Sequence, residues 1–428
     1  MSDYNAAGHN SVQIDWKGEP ISVVSLGCDR LSALTPLATE AIRKAQVIFG
    51  SEHHFSEIDD IDTQAEKIVF TSPFSELGSQ LDAQQSKRVV VLASGDALYF
   101  GVGKYLTRIV GSNRLTFHPN ISSVQACFHA LGLPWQDARV VSVHGRPLNS
   151  LRRHLASGRL IACLTDAKSN PIAIARELQA QGFAESRIWV CEAMGSPHQR
   201  VGEYAANELA KSKSVFDDLN VCVMQLSGKQ ALLPSFPGIA DHLFSTGAEP
   251  GFGMISKREV RLTILSLMQP TPGEVAWDIG AGCGSVSVEW AHWNEAGHIY
   301  AIENDRVRIG HIKINSERFG TDHNLSVIEA SAPAGCEGLP DPDCIFIGGS
   351  RGLDEMLEYA WRRLRAGGKL VASAVTESSR RALAEFIPGK YGLEQVDIQV
   401  SKNLPQSQES RTLKPVLVVK CIKSNDNE

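Results

Sequence analysis

Short apolar runs alternate with helical patterns along this chain, and the alternation is interrupted once. From position 21, runs such as "ISVVSL" and "RVVVLAS" are separated by helical patterns such as "PLATEAIRKAQ". Continuous apolar strands separated by helices predict a mainly parallel sheet that is buried on both faces. The alternation stops after Leu226, in a segment with three prolines, and resumes near Ser256. Since 428 residues exceed what one hydrophobic core organises, the pattern predicts two α/β domains.

The interruption gives the expected domain limits. We expect an N-terminal tail at 1–19, a first domain at 20–228, a linker at 229–250 and a second domain at 251–428. Seven strand-like runs follow the linker, and no helical pattern separates the last two. The second domain is therefore predicted to hold a seven-stranded sheet with an antiparallel hairpin at its edge.

Composition excludes several classes of protein. The chain has 48 acidic and 42 basic residues, a formal charge of -6, which argues against a broad nucleic-acid surface. No apolar stretch approaches the roughly 20 residues that cross a bilayer, and the first residues lack the pattern of a signal peptide. Nine cysteines without a CxxC pair indicate reduced thiols rather than a metal site. The adjacent His53 and His54 are not expected to converge on one ion. We expect a cytoplasmic protein that holds no metal and crosses no membrane.

The stretch "WDIGAGCGSVSVEW" (277–290) is typical of a strand, a glycine loop and a helix that present backbone amides to a nucleotide. Its glycines, Gly280, Gly282 and Gly284, follow G-x-G-x-G and not the G-x-G-x-x-G of dinucleotide sites. Asp278 would repel a pyrophosphate but can accept hydrogen bonds from an ammonium group. Glu303 ends the next predicted strand, where a carboxylate can accept from ribose hydroxyls.

These residues, with the third-strand end "EASAP" that contains Ala332, resemble the class I S-adenosylmethionine-dependent methyltransferases. That resemblance implies a Rossmann-like fold and binding of S-adenosylmethionine. Two further stretches, "MISKREVR" (254–261) and "CIFIGGSRG" (344–352), are similar to decarboxylating precorrin methyltransferases, and Ser256 stands where that family has threonine. By family match Ser256 and Ala332 belong to the cofactor site. The second stretch lacks an amide or carboxylate that would hold an amine nucleophile, so methylation of carbon is favoured.

The first domain carries a different set of motifs. In order, "VVSLGCDRLSALT", "LASGDALYFGVG" and "HPNISSVQACFHALG" resemble the tetrapyrrole methylases, a class III fold of two α/β subdomains that also binds S-adenosylmethionine. This chain departs from the family in a shortened first loop, in Ala97 and in Asn120, which replaces a glycine. The resemblance implies a cofactor site formed by Ser94, Gly95, Asp96, Tyr99, Ser122 and Ser123.

A class III module followed by a decarboxylating class I module resembles the fusion methyltransferases of cobalamin biosynthesis. The resemblance implies one S-adenosylmethionine per domain and C-methylation of precorrin-6B at carbons 5 and 15. Loss of the ring C acetate carboxylate would accompany these steps and give precorrin-8. Carbon 5 would be methylated by the first domain, and methylation at carbon 15 and decarboxylation would belong to the second. A homo-oligomer through the C-terminal domain is also implied.

The substrate of this family carries many carboxylates, so a local basic pocket is expected. Candidates for orienting it are Lys257, Arg261, Ser350 and Arg351. No residue is assigned as a general base, and the order of the two methylations stays open. So does the choice between a metal-free precorrin and a cobalt-precorrin.

Three other interpretations compete with this one. A nucleic-acid methyltransferase with an N-terminal targeting module is opposed by the acidic balance and by the lack of interleaved aromatic and basic residues. A dinucleotide-dependent reductase is opposed by Asp278 and by the glycine spacing. A first domain that only binds, without a cofactor, is suggested by the shortened loop at Gly27, and the number of bound cofactors would decide that alternative.

Overall fold

The chain folds into two compact units. A computed structural model describes residues 13–28, 34–71, 74–228, 233–234, 236–348, 352–403 and 410–424. One unit contains residues 1–148 and 156–229, and the other contains residues 149–155 and 230–428. No helix in the described ranges is both long enough and apolar enough to span a bilayer.

The first unit begins with a five-stranded parallel sheet in the order β3-β2-β4-β1-β5. Apolar clusters cover both of its faces, as the continuous apolar strands predict. Thr35 caps the first helix, whose first residue is Pro36. The elements are β1 (Ile21–Ser25), α1 (Pro36–Lys44), β2 (Val47–Gly50), α2 (Glu52–Glu57), β3 (Glu66–Val69), α3 (Leu77–Asp82), β4 (Val89–Ala93), α4 (Gly103–Val110), β5 (Leu115–His118) and α5 (Ser123–Leu131).

A second five-stranded sheet completes the first unit, in the order β6-β7-β10-β8-β9. Only β6 and β7 pair in parallel, and the other three pairs are antiparallel. The prediction of a mainly parallel sheet is therefore wrong for this half. β10 inserts between β7 and β8 and runs antiparallel to both. The sequence pattern does not indicate this, because an apolar strand buried on both faces has the same pattern in parallel and antiparallel pairs. The elements are β6 (Arg139–Ser142), β7 (Leu160–Leu164), α6 (Pro171–Ala180), β8 (Arg187–Glu192), β9 (Arg200–Ala205), α7 (Ala206–Leu209) and β10 (Asn220–Gln225).

Two segments that the sequence separates from the domains pack within the units. Trp16, in the expected tail, is 2% exposed and lies in the apolar cluster of the first sheet. In the expected linker, Ile239 and Phe244 are buried in the main apolar cluster of the second unit. The described parts of the tail and linker are thus structural parts of their units.

The second unit is built on a seven-stranded sheet in the order β13-β12-β11-β14-β15-β19-β16. The first five strands are parallel, and β19 runs antiparallel to both of its neighbours. The seven-stranded, Rossmann-like expectation is confirmed, with β16 at the edge. The elements are α8 (Arg258–Met268), β11 (Val275–Ile279), α9 (Ser285–Trp293), β12 (His298–Glu303), α10 (Arg306–Phe319), β13 (Leu325–Glu329), β14 (Cys344–Ile347), α11 (Leu353–Arg363), β15 (Lys369–Ala374), α12 (Glu377–Phe386), β16 (Tyr391–Ile398), β17 (Ser401–Asn403), β18 (Ser410–Thr412) and β19 (Val416–Ile422).

Because neighbouring parallel strands end at one edge, this topology brings distant loops together. In the second unit, β11, β12 and β14 end beside one another, which gathers the glycine loop, Glu303 and Gly348. In the first unit, β1, β4 and β5 do the same for Gly27, Ser94 and Asn120.

Candidate functional site

The glycine loop after β11 has a conformation that only glycine adopts without strain. Gly280, Gly282 and Gly284 have φ angles of +74°, +60° and +81°. A Cβ atom on Gly282 would lie 2.7 Å from the carbonyl oxygen of Met254. The predicted glycines are therefore required by the backbone, and the segment before α8 packs directly against them.

The amides of this loop bond within the protein, which differs from the expected role of presenting N–H groups to a ligand. Gly280 and Ala281 donate to the carbonyl of Ile302 at 3.0 and 3.1 Å. Gly282 donates to Glu303 Oε2 at 2.9 Å, and Cys283 donates to Met254 O at 3.0 Å. The described amides of the loop therefore already have partners within the protein.

Glu303 binds the glycine loop and can still accept a further hydrogen bond. Its side chain is buried, and its Oε1 accepts from the backbone of Asn304 and Asp305, both at 3.0 Å. Since each carboxylate oxygen offers two acceptor sites, Oε2 can take one more donor beside Gly282. This is the remaining place for a ribose hydroxyl on Glu303.

Asp278 is buried with one oxygen unpaired. Oδ2 accepts from the hydroxyl of Ser287, while Oδ1 has no partner among the described residues. Burial raises the pKa of Asp278 to about 7, the charge of Glu303 acts in the same direction, and the Ser287 hydrogen bond opposes both. A buried carboxylate oxygen without a donor fits a ligand ammonium group. The residues present therefore fit the amino-acid end of S-adenosylmethionine.

Arg261 is not placed to orient a substrate. Its side chain is 0% exposed, with Nε 2.5 Å from Glu289 Oε2 and Nη1 3.2 Å from Asp241 Oδ1. Nη1 also donates to the carbonyl of Ser256 at 2.6 Å. The prediction of a substrate contact is corrected for this residue, because the guanidinium is enclosed and fully engaged. It holds the Ser256 segment in place instead.

Ser256 and Lys257 lie in the segment that precedes α8. Ser256 donates its amide to Ser285 Oγ at 3.1 Å, which joins the segment to the start of α9. Lys257 Nζ donates to Gly251 O at 2.6 Å. Ala332 is half-buried and packs against the apolar cluster that contains Trp277 and Ile279. Ser350 and Arg351 lie outside the described residues.

The packing of the protein requires a glycine at Gly348, the first residue of the predicted G-G-S-R loop. Its amide donates to Ile279 O at 3.0 Å, and a Cβ atom there would lie 2.9 Å from Gly280 O. The end of β14 therefore packs directly on the glycine loop.

In the first unit, the three predicted motifs are tied to one another. Gly27 donates its amide to Gly95 O at 3.0 Å, and Ser25 Oγ accepts from Ala97 N at 3.0 Å. Asn120 Nδ2 donates to Ser25 O at 3.2 Å, and its amide lies where a Cβ on Gly27 would collide. Asn120 thus fills the space beside Gly27 and bonds to the end of β1.

The predicted cofactor residues of the first unit lie close together along this edge. A Cβ on Gly95 would be 3.5 Å from Ser122 Cα and from Ser123 N. Ser122 is buried and caps α5 in a capping box with Gln125. Asp96 Oδ1 accepts from Leu98 N at 2.8 Å and so shapes the turn that carries Tyr99.

Sequence reasoning missed two features of this edge. Phe100 has φ +58°, which is an outlier for a bulky side chain, and it is 51% exposed against the ring of Tyr99. The buried His54 bonds to Ser94 Oγ at 2.8 Å. The second contact joins residues 40 positions apart, so no local pattern signals it.

Two protein-family models match this chain, one toward each end. Residues 20–210 match the family model of tetrapyrrole (corrin/porphyrin) methylases, and residues 251–423 match that of a precorrin methyltransferase domain. A precorrin-6Y C(5,15)-methyltransferase [decarboxylating] from Sinorhizobium sp is 36% identical over 85% of this chain and 87% of its own length. The chain belongs to the decarboxylating precorrin-6Y C(5,15)-methyltransferase family.

Two shorter relatives each match less than half of this chain. A cobalt-precorrin-7 C(5)-methyltransferase from Salmonella typhimurium is 32% identical over 42% of this chain and 88% of its own length. A probable cobalt-precorrin-6B C(15)-methyltransferase (decarboxylating) from Saccharolobus solfataricus is 31% identical over 39% of this chain and 85% of its own length. The two methylation positions joined in the name of the Sinorhizobium relative thus stand in separate names for these shorter relatives. The family establishes this chain as a methyltransferase with a tetrapyrrole methylase half.

The buried ion pair of Arg261 and Glu289 gives a first prediction. Glu289→Gln should destabilise the second unit by about 3–5 kcal/mol, because it leaves the buried guanidinium charge without its closest counter-charge. Thermal unfolding followed by circular dichroism would measure the loss. Glu329→Gln is the matched control, since its ion pair with Arg306 is exposed. Equal changes in Tm for the two variants would contradict the structural role.

Asp278 gives a second prediction, on pH. Between about pH 4 and 7 the folded chain retains a proton on Asp278 that the unfolded chain has lost, since the pKa is raised only in the folded state. Stability relative to Asp278→Asn should therefore fall as pH rises through this window and level off above 7. Asp322→Asn, at an exposed position, controls for the lost charge. A stability difference independent of pH would show that the carboxyl has an ordinary pKa.

Proposed function

We propose that this chain methylates carbons 5 and 15 of a reduced precorrin and removes the carboxylate of the ring C acetate. The first domain would methylate carbon 5, and the second would methylate carbon 15 and decarboxylate. Each domain would use its own S-adenosylmethionine, whose sulfonium group supplies an activated methyl. The product would be precorrin-8, from precorrin-6B.

The observation that carries the proposal is that each unit has its own braced set of loops at the carboxyl edge of a parallel sheet. In the second unit, Asp278 in β11 and Glu303 at the end of β12 leave carboxylate oxygens for an ammonium group and a hydroxyl beside the glycine loop. In the first unit, Ser94, Gly95 and Ser122 gather at a corresponding edge. The similarity of 85% of the chain to a relative whose name joins both methylations supports the same conclusion.

The contribution of the protein to the chemistry would be alignment. The activated methyl needs a carbon held in line with it, and such positioning supplies about 7–11 kcal/mol of a barrier. Rigid glycine loops and buried anchors suit that task, because their amides and carboxylates already have fixed partners. Electrons released by decarboxylation would pass into the conjugated ring of the substrate, so a general base is not part of the proposal.

Names of the relatives support two finer points. The C(15) enzyme is named for cobalt-precorrin-6B and the C(5) enzyme for cobalt-precorrin-7, which favours decarboxylation and C15 methylation before C5 methylation. The Sinorhizobium relative, which matches 85% of this chain, is named without cobalt, and this favours a metal-free substrate. No group of three or more His, Cys, Asp or Glu in the described ranges is arranged to hold a metal ion, and absence of a bound metal stays a prediction.

Three further expectations belong to this proposal. All nine cysteines are free, and eight of them are buried, which suits a reducing cytoplasm. The substrate is a small acidic tetrapyrrole and not a nucleic acid, as the net charge suggests. A homo-oligomer through the second domain follows from the family resemblance alone.

Incubation with precorrin-6B and labelled S-adenosylmethionine tests the proposal. Mass analysis should find a product that has gained two methyl groups and lost one carbon dioxide. Methylation without decarboxylation, or no change, would overturn it.

Gly282→Ala separates the two halves of the reaction. Its Cβ would collide with Met254 O, so C15 methylation and decarboxylation should be lost. Supplied with the decarboxylated C15-methyl compound, the variant should still add one methyl. Gly273→Ala is the matched control, because that glycine also has positive φ but faces open space. Failure of Gly282→Ala to methylate the decarboxylated C15-methyl compound, which the wild-type chain methylates, would contradict the assignment of activities to domains.

A further inference from the structure

His54 and Ser94 meet at the carboxyl edge of the first sheet. β2 and β4 are parallel neighbours, with Phe49 paired to Val91, so the residues that follow the two strands emerge side by side. His54 lies in α2, directly after β2, and Ser94 directly follows β4. His54 Nε2 is 2.8 Å from Ser94 Oγ.

The direction of this hydrogen bond is set by the other ring nitrogen of His54. The backbone N–H of Ser51 donates to Nδ1 at 3.2 Å, as part of the cap of α2. Nδ1 therefore carries no hydrogen, and the hydrogen of the ring is on Nε2. His54 must donate, and Ser94 Oγ must accept.

The surroundings keep the ring in this state. His54 is 2% exposed and lies edge-on to Phe70, with ring centroids 6.1 Å apart. Burial, with a smaller contribution from His53, lowers the pKa of His54 to about 4, so the ring is neutral. Ser94, in contrast, is exposed. Its oxygen is bound from the protein side, and its own hydrogen is left to point away from His54.

We propose that His54 is a positioning residue, which turns the Ser94 hydroxyl into a fixed hydrogen-bond donor toward a carboxylate bound at this edge. The carboxylate would belong to the methyl donor or to the precorrin, both of which carry one. The inference rests on the proposed function of the first domain. A purely structural role for His54 would not involve Ser94, because the cap of α2 uses only Nδ1 of His54.

Three variants test the proposal in the full chain. His54→Gln keeps both bonds, because a glutamine at the third helical position can accept from Ser51 N and donate from Nε2. His54→Met keeps the length of the side chain and removes both. Ser94→Ala removes the hydroxyl itself. The double variant His54→Met with Ser94→Ala reveals whether the two residues act as one unit.

The assay follows methyl addition to the decarboxylated C15-methyl precorrin, with KM measured separately for S-adenosylmethionine and for the precorrin. His54→Met and Ser94→Ala should each raise one of the two KM values by about tenfold or more, the loss expected for a hydrogen bond to a charged group. The affected KM identifies which ligand carries the carboxylate. His54→Gln should stay near wild type, and the double variant should be no worse than Ser94→Ala.

Decarboxylation of precorrin-6B by the second domain of each variant is the internal control for folding. Equal defects in His54→Gln and His54→Met, or additive defects in the double variant, would overturn the positioning role while leaving the proposed function intact. A wild-type enzyme that transfers no methyl to the decarboxylated C15-methyl precorrin would overturn the proposed C5 activity and this inference with it.

Discussion

The second unit depends on one buried ion pair, between Arg261 on α8 and Glu289 on α9. The guanidinium also holds the carbonyl of Ser256, and the neighbouring Met254 carbonyl packs on Gly282 and accepts from Cys283. A wholly buried arginine is costly unless its hydrogen bonds are satisfied. Here that requirement fixes the segment before α8 against the glycine loop, and the shape of the loop follows.

Rigidity of this loop changes what its parts contribute to binding. Because the amides of the loop donate within the protein, the acceptor positions left for a ligand are on the buried carboxylates of Asp278 and Glu303. Such an arrangement favours a ligand with cationic and hydroxyl groups over one with phosphates. In the first unit, the corresponding sheet edge is held by uncharged side chains. Asn120 lies against Gly27, and His54 forms a hydrogen bond with Ser94.

Sequence patterns predicted those features that depend on neighbouring residues. Alternation of strands and helices predicted the α/β fold, and the spacing of Gly280, Gly282 and Gly284 predicted a glycine loop, whose positive φ angles suit glycine. Pairing in the second sheet was mispredicted, since β10 enters between β7 and β8 from far along the chain. The role of Arg261 was mispredicted for the same reason: Glu289 lies 28 positions away. A charge near a helix start has the same pattern whether it is buried or exposed.

The central claim is that each half of the chain has its own site for the methyl donor. Titration calorimetry of the full chain with S-adenosylhomocysteine, the product form of that donor, tests it most directly. The account predicts two sites per chain, of which Gly282→Ala removes one. A single site in the wild-type protein, or none, would contradict it.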